Sequence, residues 1–152
     1  MRSLKAVVFG LAIALIVELL LVFGIAAPIF TAFVPEGLAR TSALAEGVVV
    51  FAAAFGMYWG GMAAGYKAGG RPRMHGIAVA VLLFVVSPAL NLAAAHDPFA
   101  QLRDSGFLLL CGVLFVVSLA ASFIGAGRGW QLQIYNRRVR RAERRAGKTG
   151  KR

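Results

Sequence analysis

Residues 56–76 read GMYWGGMAAGYKAGGRPRMHG. The stretch closes one apolar run, turns through a loop carrying Lys67, Arg71 and Arg73, and opens a second apolar run. Gly69, Gly70 and Pro72 break the chain between the two runs. The small residues ahead of the break allow helix backbones to approach closely. If the flanking runs cross a bilayer, the basic loop also fixes which side is which.

Working outward, residues 6–27, 47–65, 76–95 and 106–127 form four apolar runs, and Glu18 in the first is their one charged side chain. Each run is close to the ~20 residues that a helix needs to cross roughly 30 Å of hydrocarbon. The apolarity is continuous rather than alternating, and an open sheet edge is untenable in lipid, so the spans are read as helices. The 152-residue chain is 59% hydrophobic and 15% charged, against about 45–50% and about 25% in soluble domains. Its mean hydropathy is +0.75. Buried helices of a soluble protein would show polar faces, which these runs lack. The expected fold class is all-α: a four-helix transmembrane bundle over residues 1–129, followed by a basic amphipathic helix in the tail 130–152.

Arg2 and Lys5, followed by an apolar run ending in Gly24, Ala26 and Ala27, also fit a signal peptide. The run exceeds the 7–15 residues of a typical signal core, so it is read as a span. With four spans, the N-terminus, the loop with Lys67, Arg71 and Arg73, and the segment after residue 127 share one side. That side holds fifteen of the seventeen Lys and Arg residues. The other side has Arg40 and Arg103, set among Glu36, Glu46, Asp97 and Asp104. The positive-inside rule therefore places both termini in the cytoplasm.

Thr41 or Ser42 suits the N-cap of the second span, and Asp104 or Ser105 that of the fourth. Pro28 and Pro35 flank residues 29–34, read as an apolar exit from the first span. Tyr66 and Trp130 suit the inner aromatic belt. Gly56 and Gly60 form one small-xxx-small pair, and Gly61 and Gly65 another. They are the helix-packing candidates, for the bundle itself or for a homo-oligomer or membrane partner. General glycine enrichment in membrane helices is the plainer explanation. In the first span Ala6, Gly10 and Ala14 recur every four residues and lead to Glu18.

Glu18 lies about 18 Å above the inner boundary at 1.5 Å per residue, near mid-membrane. A carboxyl there costs about 2.5–3.5 kcal/mol on insertion scales, while fourteen Leu, Ile, Val and Phe neighbours contribute about −4 to −8. The span still inserts, and the acid should face protein. By matched depth Ser87 is level with it, Tyr58 and Ser118 sit a turn inward, and Asn91 a turn outward. These five are the intramembrane polar candidates. Either Glu18 is functional, as intramembrane acids often are, or it is a neutral carboxyl pinned by a neighbour. Pro88 should kink the third span and free the Phe84 carbonyl. That either shapes the bundle or opens a small polar cavity beside Glu18.

No chemistry-bearing constellation is visible. His75 and His96 fall on opposite sides, and no Cys–His or His–Glu pair has ligand spacing, so no metal site is expected. No Ser/His/Asp set and no phosphate loop occurs. His96 and Asp97 read as a polar loop, and the lone Cys111 rules out an internal disulfide. The expectation is a protein without cofactor or catalytic residues, and not an enzyme.

In the tail, Leu132, Tyr135, Val139 and Ala142 repeat at helical spacing among Arg137, Arg138, Arg140, Arg141, Arg144 and Arg145. The net charge of +11 could serve nucleic acid or acidic lipid. Tethering to the bilayer makes anionic headgroups the nearer partner and nucleic acid the weaker reading.

Residues 60–82, GGMAAGYKAGGRPRMHGIAVAVL, resemble the helix–basic loop–helix core of uncharacterised small four-helix bacterial membrane proteins. Gly60, Gly61, Ala64, Gly65, His75 and Gly76 match that pattern. The resemblance implies a four-helix bacterial membrane protein and no activity. Small multidrug exporters also have four short helices and an acid in the first, but their weak charge bias and lack of a basic tail set them apart. The function expected is a non-enzymatic membrane subunit or scaffold. The alternative is a proton-coupled small-solute transporter with Glu18 as proton carrier.

Overall fold

The computed structural model describes residues 2–33, 43–94, 103 and 105–149, and within them the side chains of all but 2, 43, 44, 87–94 and 146–149. The elements are α1 (Arg2–Leu19), a π-helical segment (Leu20–Ala26), α2 (Ala27–Phe33), α3 (Ala43–Lys67), α4 (Pro72–Ala94) and α5 (Ser105–Thr149). No strand occurs among the described residues. The fold is all-helical, and α1, the π segment and α2 follow one another without a loop, leaving four rods.

Among the described residues, three stretches are long and apolar enough to cross a membrane: Ser3–Phe33, Ala45–Lys67 and Ser105–Arg145. The fourth rod, α4, has 23 residues, and Pro72–Val86 within it forms a shorter apolar helix. It stays helical through Ser87, Pro88 and Asn91.

The first rod does not end near residue 27, and Pro28 does not open an irregular exit. A proline lacks its N–H and its ring crowds the carbonyl four residues back, here that of Gly24. The chain widens before it instead: the Ala27 N–H bonds the Val22 carbonyl, five residues back. A π turn relieves the crowding without ending the helix. Thr31 Oγ1 then donates to the Pro28 carbonyl at 2.9 Å.

The fourth rod does not end near residue 127 either. Gly125, Gly127 and Gly129 stay helical, with no glycine at positive φ among the described residues. The basic tail is therefore a continuation of α5 and not a separate surface helix. Of the expected caps, Ser105 begins α5, while Thr41, Ser42 and Asp104 lie outside the described residues, as do Pro35, His96 and Asp97.

α3 is central and packs on α1, α4 and α5. The buried side chains are mostly small: Ala6, Ala14, Ala52, Ala64, Ala80 and Ala126, with Met57 the largest that is fully buried among the described residues. Bulky ones point outward, among them Phe23, Phe33, Phe51, Leu109 and Val116. Small inside and bulky outside is the distribution that close backbone packing in hydrocarbon favours. In water the same surface would be one large apolar patch.

Candidate functional site

The glycines of α3 divide between two neighbours. Gly56 and Gly60 face α1. A Cβ on Gly60 would lie 2.6 Å from Ala14 Cβ and 2.7 Å from the Gly10 carbonyl oxygen, and one on Gly10 would meet Ala64 Cβ at 2.7 Å. Gly61 and Gly65 face α5, where a Cβ would collide with the carbonyl oxygens of Ser122 and Ala126 respectively. The seam is reciprocal: a Cβ on Gly125 or Gly129 would strike the Tyr58 or Met62 carbonyl oxygen. Residue numbers rise together across the α3–α5 seam and oppositely across α1–α3, so α3 and α5 are parallel and α1 is antiparallel to both.

α4 enters the same junction. Gly76 leaves room for Ser122 and Ala126, and Ser122 Oγ donates to the Gly76 carbonyl at 2.8 Å, fully buried. His75, one residue earlier, bonds Arg71 O through Nδ1 at 3.0 Å. A nitrogen facing a carbonyl must carry the proton. On the neutral ring, the Ser3 hydroxyl then donates to Nε2, 2.7 Å away, tying α1 to α4. Gly60, Gly61, Ala64, Gly65, His75 and Gly76 are thus each accounted for by helix packing.

Of the polar candidates, Glu18 and Ser118 line one cavity of about 210 Å³, walled by Met57, Leu83, Phe107 and Cys111 among others. Glu18 rests on Gly56, and its Oε1 is buried with no hydrogen-bond partner among the described residues. Tyr58 does not line this cavity; its carbonyl faces Gly125 and its ring stands edge-on to Trp59. The side chains of Ser87 and Asn91 lie outside the described residues. No group of three or more His, Cys, Asp or Glu able to hold a metal occurs among the described residues.

One end of the bundle gathers the basic side chains. Lys67 Nζ lies 5.2 Å from the Phe9 ring centre, and the Arg73 guanidinium 4.8 Å from that of Phe123. Asn136 Nδ2 donates to Tyr66 Oη at 3.3 Å, so α5 remains against α3 as far as residue 136. Beyond it Arg137, Arg138, Arg140, Arg141, Arg144 and Arg145 are exposed. At 100° per residue these arginines occupy one half of the helix, and Leu132, Tyr135, Val139 and Ala142 the other.

Sequence reasoning passed over Ser122, Gly125 and Gly129, although Ser118, Ser122 and Ala126 repeat every four residues just as the α3 glycines do. It also set Cys111 aside as a redox question, and the structure puts that thiol in the Glu18 cavity. No protein-family model, no curated protein and no solved structure matches the chain.

Proposed function

We propose that this is a four-span protein of the bacterial inner membrane with both termini cytoplasmic. It acts as a non-enzymatic membrane subunit that holds anionic lipid headgroups against its basic end. The exposed arginine half of α5 is the observation that carries this reading. From Arg137 to Arg145 the helix rises about 12 Å, close to one Debye length of roughly 8–10 Å. Even standing upright, these arginines feel an anionic surface at about 1 kcal/mol each near it.

The glycine faces are occupied within the chain, so a homo-oligomer or partner subunit would use the bulky outer faces. Reporter fusions at both ends test the topology, and either end found outside the cell refutes it. Native mass spectrometry of the full chain with phosphatidylglycerol and phosphatidylcholine tests the partner. Replacing the six arginines by Gln should remove most of the excess phosphatidylglycerol bound.

A second reading has its own support in the Glu18 oxygen, buried beside a cavity with no hydrogen-bond partner among the described residues. In it, Glu18 loads and unloads a proton coupled to a small solute. Proton flux into proteoliposomes, read by a trapped pH dye, would then depend on Glu18 and fall in Glu18→Gln. Equal flux in both forms removes this reading.

A further inference from the structure

A second basic feature lies apart from the arginine extension. Where α4 begins beside α5, Arg71, Arg73, Met74, Trp130 and Gln131 line an open cleft of about 370 Å³, within the size range of small-molecule sites. The Arg73 guanidinium carbon lies over the Phe123 ring, 4.8 Å from its centre. The Arg73 Nε passes 3.8 Å from where a Gly127 Cβ would be. Arg71 adopts φ 47°, a left-handed conformation, and its carbonyl accepts from Met74 N and from His75. Both guanidinium groups therefore spring from fixed backbone at one rim of the cleft.

The cleft is also lined by Met74 on α4, 59% exposed, and by half-buried Trp130 on α5. Among the described residues no carboxylate lines the cleft: Glu143 is the one acid in the sequence after Asp104, and it lies 13 positions along α5 from Trp130, about 20 Å. Two guanidinium groups favour bidentate binding of phosphate oxygens. Basic pockets between membrane helices at the cytoplasmic side suit anionic headgroups.

We infer that this cleft is a discrete site for one anionic phospholipid. Arg71 and Arg73 hold the phosphate, and Trp130 and Met74 cover the glycerol and the start of the acyl chains. The inference rests on the membrane reading but not on lipid contact by the arginine extension.

The chain has two tryptophans, so Trp59→Phe leaves Trp130 as the sole fluorophore. In bilayers of phosphatidylcholine with a small fraction of brominated lipid, brominated phosphatidylglycerol should quench Trp130 at about tenfold lower mole fraction than brominated phosphatidylcholine. The preference should vanish in Arg71→Gln/Arg73→Gln, return only in part in Arg71→Lys/Arg73→Lys, which keeps the charge but not the bidentate fork, and persist when the six α5 arginines from 137 to 145 are Gln. Loss with the extension but not with Arg71 and Arg73 would overturn the site while leaving the extension reading intact. Equal quenching by the two lipids in the Trp59→Phe protein would also overturn it. Inorganic phosphate at millimolar levels should leave the quenching unchanged; abolition by phosphate would mean a free anion and not a lipid.

Discussion

Glu18 sits where Gly56 has no side chain: a Cβ on Gly56 would overlap Glu18 Cγ and stand 3.1 Å from Oε1. The acid and the glycine are one feature. α3 gives up a side chain at the level where α1 carries a carboxyl, and the α1–α3 seam closes around the exchange. Gly56→Ala should therefore destabilise the bundle by about 1–3 kcal/mol, as overpacking does. Glu18→Ala in the same chain should restore most of the loss. Unfolding of all four forms in mixed micelles gives the coupling, and equal losses with and without Glu18 would contradict the contact.

Glycines on the seams and glycines on open faces should respond with opposite signs. Gly65→Ala drives a methyl into the Ala126 backbone and should lose about 1–3 kcal/mol. A Cβ on Gly112 meets nothing within 4 Å, so Gly112→Ala should gain up to about 1 kcal/mol of helix propensity. Melting curves in one detergent compare them, and equal losses would mean that the α3–α5 seam is misplaced.

Ser122 tests the α4 attachment. Removing its hydroxyl in Ser122→Ala should lose only about 0.6 kcal/mol, the average for hydrogen bonds between membrane helices. Ser122→Val adds bulk where Gly61 and Gly76 make room and should lose several times more. If the two variants unfold alike, the hydroxyl and not the space is what matters at this position.

Cys111 is the lone thiol of the chain and lines the Glu18 cavity together with Ala53. N-ethylmaleimide should label it in native protein. Ala53→Phe, which fills the cavity, should slow labelling at least about fivefold without changing the rate in denaturant. Unchanged native labelling in Ala53→Phe would show that the reagent arrives from the outer face.

Much of this arrangement can be read from residue types. The apolar runs and the split of Lys and Arg set out four helical rods before any coordinates, because lipid leaves the backbone few alternatives. Spacing by four on α3 marks packing faces, but not the neighbours. Gly60 and Gly61 are adjacent in sequence and about 100° apart on the helix, enough to send one toward α1 and the other toward α5. Helix ends were the least legible. Pro28 normally signals a stop, and a π turn that absorbs it leaves no mark in the composition. Gly125, Gly127 and Gly129 look like breakers, yet Gly125 and Gly129 serve as contact points for the α3 backbone and keep α5 whole. The cavity beside Glu18 combines α1, α3, α4 and α5, and such a meeting of four rods is visible only once their rotations are fixed.

An unbroken α5 is also a lever. Gly125 bears on the α3 backbone at Tyr58, and Arg145 lies 20 residues further along, about 30 Å. A rocking of α5 by some five degrees about that fulcrum would swing the arginine end by about 3 Å and shift residue 136 by about 1.4 Å, enough to strain its 3.3 Å bond to Tyr66. Whatever disturbs the packing around Ser122 and Gly125 would be felt, amplified, at the basic tip.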